Sequence, residues 1–151
     1  MKWLLRITVA GLLVWLAWQG WQRFFVTDET RIKRLISTLA NAVENNKILA
    51  LADGIAGDYS DDRGLDKATL LGAVRGTRSQ YEAMFIYISD TAVQIADNRE
   101  NAQATIVARI LTKRAGGGST ELNAERVRLF FRKTDSGWKM TRVESPELKF
   151  D

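Results

Sequence analysis

The sequence predicts an α+β domain in which about three helices pack on a curved, mixed or antiparallel sheet, preceded by one transmembrane helix. Three observations carry that expectation. Strand-like alternation runs from Ala102 to Val143, broken by Ala115-Gly116-Gly117-Gly118 and by Asp135-Ser136-Gly137. Apolar residues before position 80 recur at helical spacing instead, which segregates helices from strands along the chain. An uncharged apolar run, Ile7–Gln22, stands ahead of both.

Trp3 to Trp21 offers 19 residues, with Arg6 able to reach back to the head groups, against the roughly 20 that a helix needs to cross the hydrocarbon core. Trp3, Trp15, Trp18 and Trp21, followed by Phe24 and Phe25, suit interfacial aromatic belts. A cleaved signal peptide is the competing reading, but Leu16-Ala17-Trp18 and Trp18-Gln19-Gly20 lack small residues at alternate positions. Residues 1–26 are therefore expected to form an uncleaved single-pass anchor in the inner (cell) membrane. The short basic start, Lys2 and Arg6, favours placing residues 27–151 on the extracytoplasmic side, whereas Arg23, Arg31, Lys33 and Arg34 pull the other way.

Thr27 or Asp28 is expected to cap a helix whose inner stripe is Ile32, Leu35, Ile36, Leu39, Ala42 and Val43, ending near Glu44-Asn45-Asn46. A short apolar segment, Ile48–Ala52, follows and closes at Asp53-Gly54. The acidic loop Gly57–Asp66 lacks the fixed ligand frame of a calcium-binding EF-hand and reads as a surface turn with Asp66 as the next cap. From Lys67, Leu70, Leu71 and Val74 form the inner face of a third helix, with Gly76 near its end.

Tyr81–Ile88 is rich in strand formers and apolar on both faces, and Thr91–Ala96 reads as a separate, shorter strand before a turn at Asp97-Asn98-Arg99. In the next run Ala104, Ile106, Ala108 and Ile110 share one face. After the glycines, Val127, Leu129 and Phe131 alternate with Arg126, Arg128, Phe130 and Arg132, and Trp138–Val143 returns beyond Asp135-Ser136-Gly137.

Composition removes several chemistries. Without cysteine there is neither a disulfide framework nor a thiolate metal site, and without histidine the usual general base and commonest metal ligand are missing. The net charge of +4 owes three units to Lys2, Arg6 and Arg23, leaving 19 basic against 18 acidic residues from Thr27 onward. That near balance argues against nucleic acid as a partner. No cofactor, metal site or catalytic residue is indicated.

The order of elements resembles the nuclear transport factor 2-like superfamily, also called cystatin-like cone folds, over residues 28–148. Its carriers are the first amphipathic helix, the Asn46–Tyr59 short-helix segment, Leu65-Asp66-Lys67-Ala68-Thr69-Leu70-Leu71, and Val127–Lys133 followed by Asp135–Met140. The resemblance implies a cone whose mouth holds a ligand, an active site or a partner, in proteins ranging from isomerases and cyclases to membrane-anchored assembly factors. On that basis the expected function is a membrane-anchored binding or assembly module of the bacterial envelope, acting through a protein partner or self-association. The alternative is a carrier for a small apolar ligand, or an isomerase- or cyclase-like enzyme, using the cone cavity. Candidate cavity residues are Leu51, Ile55, Tyr59, Val74, Tyr81, Phe85, Tyr87 and Trp138. Candidate interface residues are Arg109, Arg126, Arg128 and Arg142, on the outer face of the sheet.

Overall fold

The computed structural model describes residues 27–121 and 124–145. The expected anchor, residues 1–26, lies outside them, and no helix among the described residues is long and apolar enough to cross a membrane. In chain order the elements are α1 (Asp28–Glu44), α2 (Ile48–Gly54), α3 (Lys67–Arg78), β1 (Ala83–Ile95), β2 (Asn101–Lys113), β3 (Ser119–Glu121), β4 (Glu125–Thr134) and β5 (Gly137–Glu144).

Local chemistry explains the helix boundaries. Thr27 accepts the amide of Thr30 at 3.3 Å and opens α1, with Asp28 and Glu29 in the favourable first turn. The helix ends at Glu44, and Asn46 takes a φ of 53° that turns the chain into α2. Asp66 accepts the Thr69 amide at 2.8 Å and starts α3. Gly76 does not end α3, which runs on to Arg78. There the guanidinium of Arg78 donates to the Glu44 and Tyr81 carbonyls, each at 2.7 Å, and binds the last turns of α1 and α3 to the approach to β1.

The sheet order is β1-β2-β4-β5, and the described strand pairs are antiparallel. Short β3 pairs with the end of β2 at Leu111–Lys113, just past the stretch that β4 occupies. Gly116, Gly117 and Gly118 all take φ near +100°, a region costly to any side chain, and allow the chain to reverse between β2 and β3. The two strands expected between Tyr81 and Ala96 are one strand, β1. An extra residue enters between Ser89 and Ala92, where Asp90 adopts a φ of 52°. A second irregularity, between Phe130 and Phe131, places Thr141 as an extra residue in β5. Such bulges bend a strand and increase its twist, and these two curve the sheet.

Both free edges are partly covered. The Ile86 amide of β1 donates to the Glu44 carboxylate at 2.5 Å. Along β5, Ala56 donates to the Met140 carbonyl at 2.9 Å and Ser60 to that of Thr141 at 3.2 Å, so residues 55–60 shield that edge. Ile32, Ile36, Leu39 and Ala42 of α1 join Leu51 and Ile55 above the inner sheet face of Ala102, Ala104, Ile106, Leu129, Phe131, Trp138 and Met140. Asp28 locks the end of this layer: Trp138 donates its indole N–H to the carboxylate at 3.1 Å and Lys133 its ammonium at 3.1 Å. The Trp138 bond, with Lys133 and Arg31 adding their charge, outweighs partial burial and holds the Asp28 carboxyl below its ordinary value.

Candidate functional site

Between the helices and the concave sheet lies a hollow of about 200 Å³. Ile36, Leu39, Ala40 and Val43 of α1 face it from above, with Leu51, Ile55, Leu70 and Val74 at its sides. The sheet supplies Ile86, Ile88, Ile106, Ala108, Leu129, Met140 and Val143. Ala40 and Ala108 contribute the shortest side chains of this lining. Val43, Leu70, Val74, Ile86, Ile88 and Ala108 are only half-buried. The mouth therefore opens between α1, α3 and the β1–β2 part of the sheet.

Every lining side chain is apolar. A dry, apolar void of about 150 Å³ in another protein accepts benzene or xenon, which sets the scale of guest that such a space admits. None of these lining side chains can donate or accept a proton. Among the described residues no group of three or more acidic side chains is placed to hold a metal ion. In the acidic loop, Asp61 accepts the Arg63 and Leu65 amides at 3.0 and 2.8 Å, and Asp66 caps α3.

The expected cavity residues divide into four groups. Leu51, Ile55 and Val74 line the hollow. Tyr59 and Trp138 are buried in the core beside it without lining it. Burial, with the Asp61 carboxylate adding to it, pushes the Tyr59 phenol up to about 12. Among the described residues its hydroxyl finds no hydrogen bond of ordinary geometry. Phe85 and Tyr87 are the correction: they are 49% and 59% exposed and stand on the outer face of the sheet. Tyr81 precedes β1 and stacks under Arg114, 5.8 Å from the ring centre.

The alternation Phe85-Ile86-Tyr87-Ile88 is apolar in both phases, so period alone could not say which phase turned inward. The register decides it. Phe85 and Tyr87 pair with Leu111 and Arg109, while Ile86 and Ile88 pair with Ile110 and Ala108. Of the lining residues missed at the sequence level, Ile86, Ile88 and Ala108 belong to that inward phase. The four expected interface arginines lie on the outer face. Arg128 and Arg142 share Glu144, and Arg142 also covers the Phe130 ring at 5.2 Å.

No protein-family model and no curated protein matches the chain. Solved structures do match. A candidate aromatic ring hydroxylase from Novosphingobium aromaticivorans superposes with a TM-score of 0.70 at 22% identity, over 82% of this chain and 90% of that one. A candidate scytalone dehydratase from the same organism gives 0.68 at 15% identity, over 76% and 79%. A third protein of that organism, described as NTF2-like with a cystatin-like fold, gives 0.67 at 16% identity, over 88% and 90%. Identities this low speak for architecture alone. The chain has the nuclear transport factor 2-like, cystatin-like cone fold.

Proposed function

We propose that this protein binds a small apolar molecule, of the size of one or two rings, in the interior of its cone. The observation that carries the reading is the hollow of about 200 Å³ with its wholly apolar lining. Transfer of apolar surface out of water, at roughly 25 cal/mol per Å², supplies the affinity there. Structural neighbours named as a dehydratase and an aromatic ring hydroxylase suit a small-molecule site of this kind. The lining offers no side chain for acid–base chemistry, so the function that it supports is binding rather than turnover.

Residues 1–26, in the same proposal, cross the inner membrane once and hold the domain at its extracytoplasmic surface. Apolar molecules concentrate in bilayers, so a tethered cone sits next to its supply. Protease added outside spheroplasts should digest the domain; complete protection would place it on the other side.

Toluene titrated into the full chain in lipid nanodiscs tests the site. The methyl resonances of Ile36, Ile55, Ile86, Ile88 and Ile106 should shift saturably, while those of Ile48 and Ile95 stay fixed. Equal shifts at all of them, or none, would exclude the hollow as a binding site.

A second reading, self-association through the outer sheet face, is favoured by Phe85 and Tyr87 standing exposed beside Arg109. Sedimentation of the detergent-solubilised chain decides it: Tyr87→Lys should lower the association state if that face is the contact.

A further inference from the structure

A second hollow, of about 340 Å³ and polar where the first is greasy, opens at the other side of α2. Lys67 enters it from the first turn of α3, Lys139 from β5 and Arg132 from β4. Lys67 donates to the carbonyl of Ile55 at 2.9 Å, and Lys139 to the carbonyl of Asp53. Both ammonium groups are thus held at the C-terminal end of α2, where the last carbonyls of a helix attract cations. An ammonium has three donors, and each of these spends one on the protein. Among the described residues the other four N–H groups of the two lysines have no partner, and their heads are already positioned.

The opposing charges are Asp58 and Asp53. Asp58 takes the Arg132 guanidinium in a two-pronged pair at 2.9 and 2.7 Å. That pair raises the arginine and lowers the carboxyl from their ordinary values. Asp53 is exposed, and its carboxylate forms no salt bridge among the described residues. Three cations therefore face two carboxylates, one of which is committed to Arg132. The Ser136 hydroxyl, 3.2 Å from that of Thr134, adds a further polar group on the rim.

We infer that this hollow binds a phosphate group, with Lys67 and Lys139 donating to its oxygens and Arg132 contributing charge. A tetrahedral oxyanion presents several acceptors at once, which matches four free donors from two directions better than a single carboxylate does. The phosphate belongs either to a lipid head group or to a free phosphorylated compound. Two of its cations stand on strands β4 and β5, next in sequence to Lys133 and Trp138, which hold Asp28.

Acetylation of individual lysines, followed by mass spectrometry on the full native chain in nanodiscs, separates the outcomes. Inorganic phosphate added to phosphatidylcholine discs should slow modification of Lys67 and Lys139 several-fold and leave Lys33, paired with Glu29 on α1, unchanged. If phosphatidic acid in the disc gives the same protection without added phosphate, the source is a lipid head group. If only soluble phosphate protects, it is a free compound. Lys139→Gln should weaken phosphate binding about tenfold, the effect of losing one charge-assisted hydrogen bond. Protection of neither lysine by either agent overturns the assignment.

Discussion

Gly54 is the residue on which the helical layer closes. A Cβ there would lie 2.5 Å from the Leu39 Cδ2 and 3.1 Å from the Leu35 Cδ1. Alanine would gain up to about 1 kcal/mol of helix propensity, but forcing an extra methyl into a packed layer costs about 1–3 kcal/mol. Leu39 also lines the hollow, so its displacement narrows the binding space. Gly54→Ala should therefore lose about 1 kcal/mol in urea unfolding and bind toluene more weakly; an equally stable variant with full binding contradicts this packing. Tyr59 carries a different cost, a buried hydroxyl that makes no hydrogen bond of ordinary geometry among the described residues. Removing it in Tyr59→Phe should stabilise the protein by about 1 kcal/mol at neutral pH. Because the folded phenol titrates near 12 rather than its ordinary 10, its neutral form is favoured by folding. The resulting stability is intact below pH 10 and drains away as pH rises towards 12. The phenylalanine variant should lack that part of the alkaline loss, measured as the difference between the two unfolding curves. None of this was legible beforehand: glycine and tyrosine identities say nothing about which neighbours meet them.

Among the elements, α3 is the least secured. It has no fully buried residue, whereas α1 has four. Its contribution is Leu70 and Val74 at the mouth of the hollow, and its start depends on Asp66 holding the Thr69 amide. Asp66→Ala should cost about 1 kcal/mol, the usual value of an N-cap, seen in thermal unfolding. Amides of α3 should exchange with solvent faster than those of α1, and toluene should slow the α3 set selectively. Equal protection of both helices would remove α3 as the moving wall. Its inner residues and its cap were readable from the 3.6-residue period and the Asp-x-x-Thr start. The join of Tyr81–Ile88 with Thr91–Ala96 into one strand was not, because Ser89-Asp90 looks like a turn locally. Pairing on both sides of the bulge keeps the strand continuous.

At the scale of the whole molecule, binding and stability are coupled through mass action. A guest present at one hundred times its dissociation constant should add about 2.7 kcal/mol, visible as a higher melting temperature. Ala108→Phe fills the hollow from the sheet side and should abolish that increment, even where the variant itself folds well. A variant that still responds fully to toluene would locate the guest elsewhere. The outer face of the same sheet carries Phe85, Tyr87 and the arginines, so one curved sheet separates a greasy interior from a basic, aromatic exterior.

Residue order by itself determined the class of fold. Helical spacing up to Val74, alternation from Tyr81, and caps or turns at Thr27, Asp66 and Gly116–Gly118 are local signals, each legible within a few residues. Tertiary structure alone decided what the fold encloses. Whether Ile86 or Tyr87 faces inward depends on a register set by strands twenty and more residues away. Whether a hollow exists at all depends on α1, α2, α3 and the sheet, distant in sequence, being brought around it. The convergence of Lys67, Arg132 and Lys139 depends in the same way on α3, β4 and β5 being brought together.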